Sequence, residues 1–298
     1  MNRVMKDTGA DRVFVTLNSI LMVIVLVVTL FPLWFVVVAS LSHPDAVNRG
    51  EVVLWIRDLD LLGYDRAFRD NSIWRGYMNT VIYTVAGAAL ALTITLPFAY
   101  AIGRREFFLR KTLTIMLIIT WYFHGGLIPT FLVINRLRLI DTRAIIIILG
   151  SLTVWNTIIS RTFFRSTIPE EFWDSARMDG CTHASYFVKI VMPLSQAITV
   201  VILLFSGVAQ WNDFFKSLMF LNDESRYPLQ MILRRILIQT TTSDVMSLDD
   251  LEAVAERERL AGVIKYVVII IGAAPLLIVY PFLQKYFLQG IMIGSVKG

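Results

Sequence analysis

Residues 161–193 read RTFFRSTIPEEFWDSARMDGCTHASYFVKIVMP. The stretch is charged at Arg161, Arg165, Glu170, Glu171, Asp174, Arg177, Asp179 and Lys189. The blocks before and after it, Ala144–Ser160 and Ile190–Asn212, hold no Asp, Glu, Lys or Arg. A polar island between two such blocks reads as a loop between membrane spans. Inside it, Pro169 suits the first turn of a helix, Glu170 and Glu171 complement the positive end of its dipole, and Gly180 suits its stop. The expected helix, Pro169–Asp179, is too short and too polar to cross a bilayer.

Outward from this island the chain is built of apolar blocks. Six stretches without Asp, Glu, Lys or Arg run Val13–Ser42, Gly76–Gly103, Thr112–Asn135, Ala144–Ser160, Ile190–Asn212 and Tyr266–Gln284. About 20 apolar helical residues cross a hydrocarbon layer of ~30 Å. Runs such as Ile20–Leu30 lack the alternation of barrel strands, so the spans are expected to be helical. They are placed at about 13–42, 76–103, 112–135, 144–160, 190–220 and 263–285, after an amino-terminal segment 1–12. The fourth is marginal in length and is expected to borrow flanking residues or to be shielded by neighbouring helices. The first exceeds the ~7–15 residues of a secretory h-region and reads as an uncleaved span.

Composition agrees. Of 298 residues, 56% are hydrophobic and 17% charged, against about 45–50% and about 25% in a soluble domain. This excludes a soluble globule and intrinsic disorder, and a single cysteine, Cys181, excludes a disulfide-built module. The net charge of +5 is scattered over many loops, with no basic arm, so it anchors spans and does not indicate nucleic acid. Aromatics near span ends (Trp34, Tyr77, Tyr100, Trp211, Tyr266, Tyr280) are compatible with interfacial belts. Six spans put both termini on one side. Arg104, Arg105, Arg110 and Lys111 fit an amino-terminus-in arrangement and Arg136, Arg138 and Arg143 do not, so charge favours that orientation only weakly.

On the short helix, Phe172, Ala176 and Asp179 share a face by i, i+4, i+7 spacing, with Trp173 beside them. Small Ala176 is expected to leave a shallow saddle where a soluble partner can approach. Asp174-Ser175-Ala176, three residues, Gly180, nine residues, Ile190, one residue, Met192-Pro193 resembles the EAA loop of binding-protein-dependent ABC import permeases. That pattern is Glu-Ala-Ala, three residues, Gly, nine residues, Ile, one residue, Leu-Pro; Asp174, Ser175 and Met192 depart from it conservatively. Further text is similar to the sugar branch: Gly125-Gly126-Leu127-Ile128-Pro129, Gln210-Trp211-Asn212-Asp213, Tyr227-Pro228-Leu229-Gln230, and Tyr280–Phe287 followed by Gly290 and Val296-Lys297-Gly298. The likeness is to the second permease subunit of maltose-type and complex-oligosaccharide importers.

The resemblance implies an all-α integral membrane protein, a six-helix type I ABC importer transmembrane domain with a cytoplasmic coupling helix in the loop 161–193. It implies a multi-pass protein of the bacterial cytoplasmic (inner) membrane with both termini cytoplasmic. The implied partners are a second homologous permease in a heterodimer, two ATPase subunits holding ATP and Mg, an extracytoplasmic solute-binding protein, and a sugar or oligosaccharide. Carried over by position, Glu171, Phe172, Asp174, Ala176, Asp179 and Gly180 make the ATPase contact.

This chain has no phosphate loop and no Gly-Lys dipeptide, so no cofactor is expected on it. His43, His124 and His183 lack metal spacing and read as interfacial or packed; no metal site and no catalytic residue is expected, and Cys181 reads as a packing residue. Candidates for the substrate path are Tyr122, Trp155, Asn156, Gln210, Trp211, Asn212 and Asp213, since sugars are held by hydrogen bonds and flat aromatic faces. Packing between helices is the alternative for each, with Asn156 bridging two spans and Asp213 pairing with Lys216. Arg161 and Arg165 either face an inner cavity suited to an acidic saccharide or act as anchors. Outside, Pro44–Arg75 is expected to cap one face. Leu221–Gly262, acidic at Asp249, Asp250, Glu252, Glu256 and Glu258, is expected to dock the solute-binding protein. The EAA spacing leaves open an importer for amino acids, polyamines or phosphate. A membrane enzyme or structural membrane protein would leave the EAA loop unexplained.

Overall fold

The structure, a computed structural model, describes residues 9–242 and 262–281. The acidic run from Asp249 to Glu258 and the carboxyl-terminal motif beyond Pro281 lie outside the described residues. Among the described residues the chain is helical, with one isolated bridge, Ser42 to Leu59. They fall into two compact units, one within Met1–Asp70 and Ile236–Ala273, the other within Asn71–Arg235 and Ala274–Gly298.

In the first unit, α1 (Gly9–Ser40) exposes its apolar side chains along most of its length, as a helix solvated by lipid does. Its last turn packs Val38 and Ala39 against Ala46 and Val52, with Phe35 edge-on to Tyr266. The short helices α2 (Pro44–Asn48) and α3 (Leu62–Arg69) follow. His43 caps α2 by accepting the Asp45 amide, and Trp34 Nε1 donates to the Leu54 carbonyl at 2.8 Å.

The second unit is organised on α4 (Asn71–Gly103), whose buried stripe recurs at Asn79, Thr80, Tyr83, Gly87, Ala88, Ala91 and Thr95. The third apolar block breaks into α5 (Arg110–Tyr122) and α6 (Leu127–Arg136), bent by 117°. The fourth breaks into α7 (Arg143–Ile148) and α8 (Val154–Thr167), each opened by a threonine, Thr142 and Thr153, that accepts a first-turn amide. Gly150, at φ +93°, lies in that break, where a side chain would be strained.

After the short polar helix α9 (Glu170–Met178), the fifth block is α10 (His183–Leu194) and α11 (Gln196–Trp211), bent by 81°. Residues Phe187–Val191 of α10 form a π turn. Pro193 lacks an amide and its ring crowds the carbonyl four residues back, so the wider turn accommodates it. Then come α12 (Phe215–Phe220), α13 (Leu229–Thr242) and α14 (Gly262–Pro281). Among the described residues, α1, α4 and α14 are each long and apolar enough to cross a membrane, and counting each of the two bent pairs as one span raises the number to five. The fourth block stays short of that length.

Candidate functional site

Pro169, in extended conformation, is the N-cap of the polar helix α9 and stands just before its first turn, which carries Glu170 and Glu171. It ends in a Schellman motif: the Cys181 amide donates to the Ala176 carbonyl at 2.9 Å and the Gly180 amide to the Arg177 carbonyl at 3.0 Å. Gly180 sits at φ +75°, which explains why glycine stands there. The helix therefore spans nearly the residues that proline, acids and glycine predict.

Its faces divide differently from the expected saddle. Trp173 and Ala176, one turn apart, are buried among Leu96, Ala99, Phe164, Tyr186 and Val191. Burying the large indole turns its i+3 neighbour inward as well. Ala176 thus lets α9 approach its own protein closely and is not on the open face. Glu171, Phe172, Asp174, Asp179 and Gly180 are exposed, joined by Met178 at 88% exposure, which the spacing argument missed.

Trp173 is the hub that mounts this helix. The Arg104 guanidinium lies 5.0 Å over its ring, His183 stacks on it at 4.1 Å, and Tyr186 meets it edge-on at 5.2 Å. Arg105 adds an ion pair to Glu170 at 3.2 Å. The end of α4 and the start of α10 are thereby tied to α9 through cation–π and ring contacts, each worth about 0.5–1.5 kcal/mol. His183 is exposed, with one ring face stacked on Trp173, and Cys181 packs against the same core. Among the described residues no group of His, Cys, Asp and Glu could hold a metal ion.

The candidate path residues separate into two sets. Tyr122 and Trp155 are exposed, and Trp155 meets Trp121 edge-on at 5.9 Å beside the α5–α6 bend. Asn212 is exposed, with its amide donating to the Val208 carbonyl at 3.0 Å. Asn156, by contrast, is buried and donates to Ser206 Oγ at 3.3 Å, bridging α8 and α11. Trp211 is buried against Tyr77, with ring centroids 6.2 Å apart.

Gln210 and Asp213 belong to a brace for the fourth block. Gln210 donates to the Ile146 carbonyl at 2.5 Å and accepts from Lys216 at 2.7 Å. Lys216 Nζ also donates to the Leu149 carbonyl at 3.0 Å and lies 3.9 Å from Asp213. The break after Ile148 frees carbonyls that lipid cannot satisfy, and these two side chains satisfy them. Gly87 makes room for the arrangement, since a Cβ there would meet Gln210 Nε2 at 2.9 Å.

Residues 95–293 match the family described as "Binding-protein-dependent transport system inner membrane component". The chain is 34% identical over 298 residues to "Protein LplC" of Bacillus subtilis (strain 168), covering 99% of this chain and 98% of that one. It is 34% identical over 271 residues to the "Polygalacturonan/rhamnogalacturonan transport system permease protein YtcP" of the same organism, covering 91% and 93%. Its structure resembles, at a TM-score of 0.84 and 30% identity, a chain from the "crystal structure of a bacterial ABC transporter involved in the import of the acidic polysaccharide alginate", covering 95% of this chain and 99% of that chain. A helical membrane chain with a short polar helix mounted between its fourth and fifth apolar blocks, matched over this length, belongs to the family of binding-protein-dependent transport system inner membrane components and is a multi-pass permease.

Proposed function

We propose that this permease carries a sugar or oligosaccharide, forms half of a translocation pathway with a second homologous permease, and is driven through α9 by two ATPase subunits. ATP and Mg are held on the ATPases, and an extracytoplasmic solute-binding protein delivers the cargo. The loop 161–193 and both termini lie on the cytoplasmic side.

The observation that carries the reading is α9 itself. It presents Glu171, Phe172, Asp174, Met178 and Asp179 outward while Trp173 anchors its inner face to α4 and α10. A push on the open face is thus delivered to two membrane helices as a rigid-body displacement. Phe172 and Met178 supply the apolar part of a contact, and the three acids its charge. Relatives named for polygalacturonan/rhamnogalacturonan and for melibiose, raffinose and stachyose support a saccharide cargo over amino acids or polyamines. Tyr122 and Trp155, exposed aromatic faces beside the α5–α6 bend, are the path residues the geometry favours. Asn156, Gln210, Trp211 and Asp213 act by holding the helices that carry the path.

The test is affinity purification of the tagged full-length chain from its own membrane, with identification of what accompanies it. A second permease and an ATPase are expected with the wild type. Met178→Asp and Phe172→Asp should reduce ATPase recovery about tenfold while moving stability by no more than about 0.5 kcal/mol, as surface substitutions do. Recovery of the ATPase unchanged in both variants rejects α9 as the coupling contact. Uptake of labelled oligosaccharide lost on deletion of the gene supports the cargo class, and lost amino-acid uptake instead rejects it.

A further inference from the structure

Five cations converge where α4, α5 and α8 meet beside the coupling helix. Arg105, Arg110, Lys111, Arg161 and Arg165 line a cavity of about 630 Å³ together with Thr114 and Ile115. Arg105 is engaged by Glu170, but among the described residues no acidic side chain pairs with Arg110, Lys111, Arg161 or Arg165. Arg161 Nε donates to the Ile102 carbonyl at 3.2 Å. Burial, with the like charges of Arg165 and Arg110, lowers the Arg161 pKa from its ordinary value.

The placement also breaks a local rule. Arg110 and Lys111 open α5 at its positive end, where cations are unfavourable, and Leu109 supplies no side-chain cap. A cluster that opposes both its neighbours and its helix dipole is one that an anion would relieve.

The neighbouring surface indicates which anion. Lys111, Ile115, Ile118 and Ile119 recur at i, i+4, i+7 and i+8, so the cavity continues into one apolar stripe of α5. The three isoleucines are exposed. The cavity has no aromatic face for a sugar ring, and its one neutral hydroxyl, Thr114, already donates to the Arg110 carbonyl at 2.6 Å. We propose that this pocket binds the head group of an anionic phospholipid, with an acyl chain laid along Ile115, Ile118 and Ile119. Its placement in the cytoplasmic leaflet rests on the orientation proposed above. Basic pockets between helices on that side suit anionic head groups. Occupancy would neutralise the junction of α4 with α9, because Arg105 belongs to both the pocket and the Glu170 ion pair.

The test is native mass spectrometry of the full-length chain purified with its partners, incubated with equal amounts of phosphatidylglycerol and phosphatidylcholine of matched chains. The wild type should retain phosphatidylglycerol about tenfold over phosphatidylcholine, and added salt should erode that preference. Arg110→Gln with Lys111→Gln should bring the two lipids near parity, and Arg110→Lys should preserve the preference. Ile118→Gln should weaken retention of long-chain phosphatidylglycerol and leave the short-chain lipid unaffected. Parity in the wild type, or an undiminished preference in the paired glutamine variant, overturns the site. Displacement of phosphatidylglycerol by digalacturonate assigns the pocket to acidic cargo and overturns it as well. Loss of the lipid preference with the ATPase still co-purifying counts against this pocket alone. Loss of the ATPase with the preference intact counts against the transporter reading alone.

Discussion

The two ends of α4 are held in different ways. Near its amino-terminal end, the loop 221–229 is bonded on by directional hydrogen bonds. Asn79 donates to the carbonyls of Ser225 and Tyr227, Tyr83 to that of Arg226 at 2.9 Å, and the Leu229 amide donates to Thr80 at 2.7 Å. Asp141 accepts the amides of Asn222 and Asp223 at 3.1 Å each and pairs with Arg226. At the other end, about 30 Å away along the helix, rings and a guanidinium hold α9, and the buried Trp173 Nε1, Tyr100 hydroxyl and Tyr186 hydroxyl have no hydrogen-bond partner among the described residues. Both kinds of contact are worth about 1 kcal/mol each. They differ in directionality: a carbonyl bond fixes one register, whereas stacked rings tolerate small rotations. On the coupling role proposed for α9, the difference suits an end that stays in place and an end that is pushed.

The comparison can be broken most severely at the hub. Trp173→Ala removes the ring shared by Arg104, His183 and Tyr186 and should cost about 3–5 kcal/mol, read as a fall in melting temperature of the purified chain. Trp173→Phe should recover roughly half of that loss. A melting temperature unchanged in the alanine variant means that ring contacts do not hold α9.

Next comes the brace. Lys216→Met deprives the Leu149 carbonyl and Gln210 of their donor and leaves Asp213 unpaired, a loss of about 3 kcal/mol. Adding Asp213→Asn should restore part of it, and a double-mutant cycle on thermal unfolding measures the coupling. Strict additivity would show that the pair is not an interacting unit. A smaller effect, about 1 kcal/mol, is expected from Gly180→Ala, which forces a Cβ into the left-handed C-cap; the melting temperature again reports it.

The smallest effect sharpens the contrast at the hydrogen-bonded end. Backbone amides of Asp223 and Asn222 hold the Asp141 carboxyl below its ordinary value, and Ser225 does the same for Asp223. Depressed carboxylate values contribute stability above the unfolded value of 3.8 that is lost as pH falls through the folded one. Pepsin should therefore cut within 221–228 faster at about pH 2 than at about pH 4, relative to a denatured control. Asp141→Asn should make that ratio smaller; an identical ratio in the variant removes Asp141 from the account.

Much of this was legible along the chain. Charge-free blocks marked α1, α4 and α14 because a helix in lipid must be apolar over its length, and that length is a local property. Pro169, the acids after it and Gly180 marked α9 because caps act within a turn or two. The breaks in the third and fourth blocks were harder to see. Gly125-Gly126 and Gly150 interrupt stretches that stay apolar throughout, so hydropathy does not register them. The polar residues near the end of α11 were legible as unusual but not in their use. A glutamine beside a tryptophan in a span reads equally as a ligand for cargo or as a cap for another helix's carbonyls.

Sequence by itself determined the class, the family likeness and the limits of the short polar helix, because composition, caps and motif spacing are all short-range. Tertiary structure alone decided that Ala176 faces inward, that Gln210 and Lys216 close a break some sixty residues earlier, and that five cations from two helices and the turn between α4 and α5 share one cavity. Those facts depend on which helix faces are brought together across the bilayer, and periodicity gives a residue's face without giving the partner it meets.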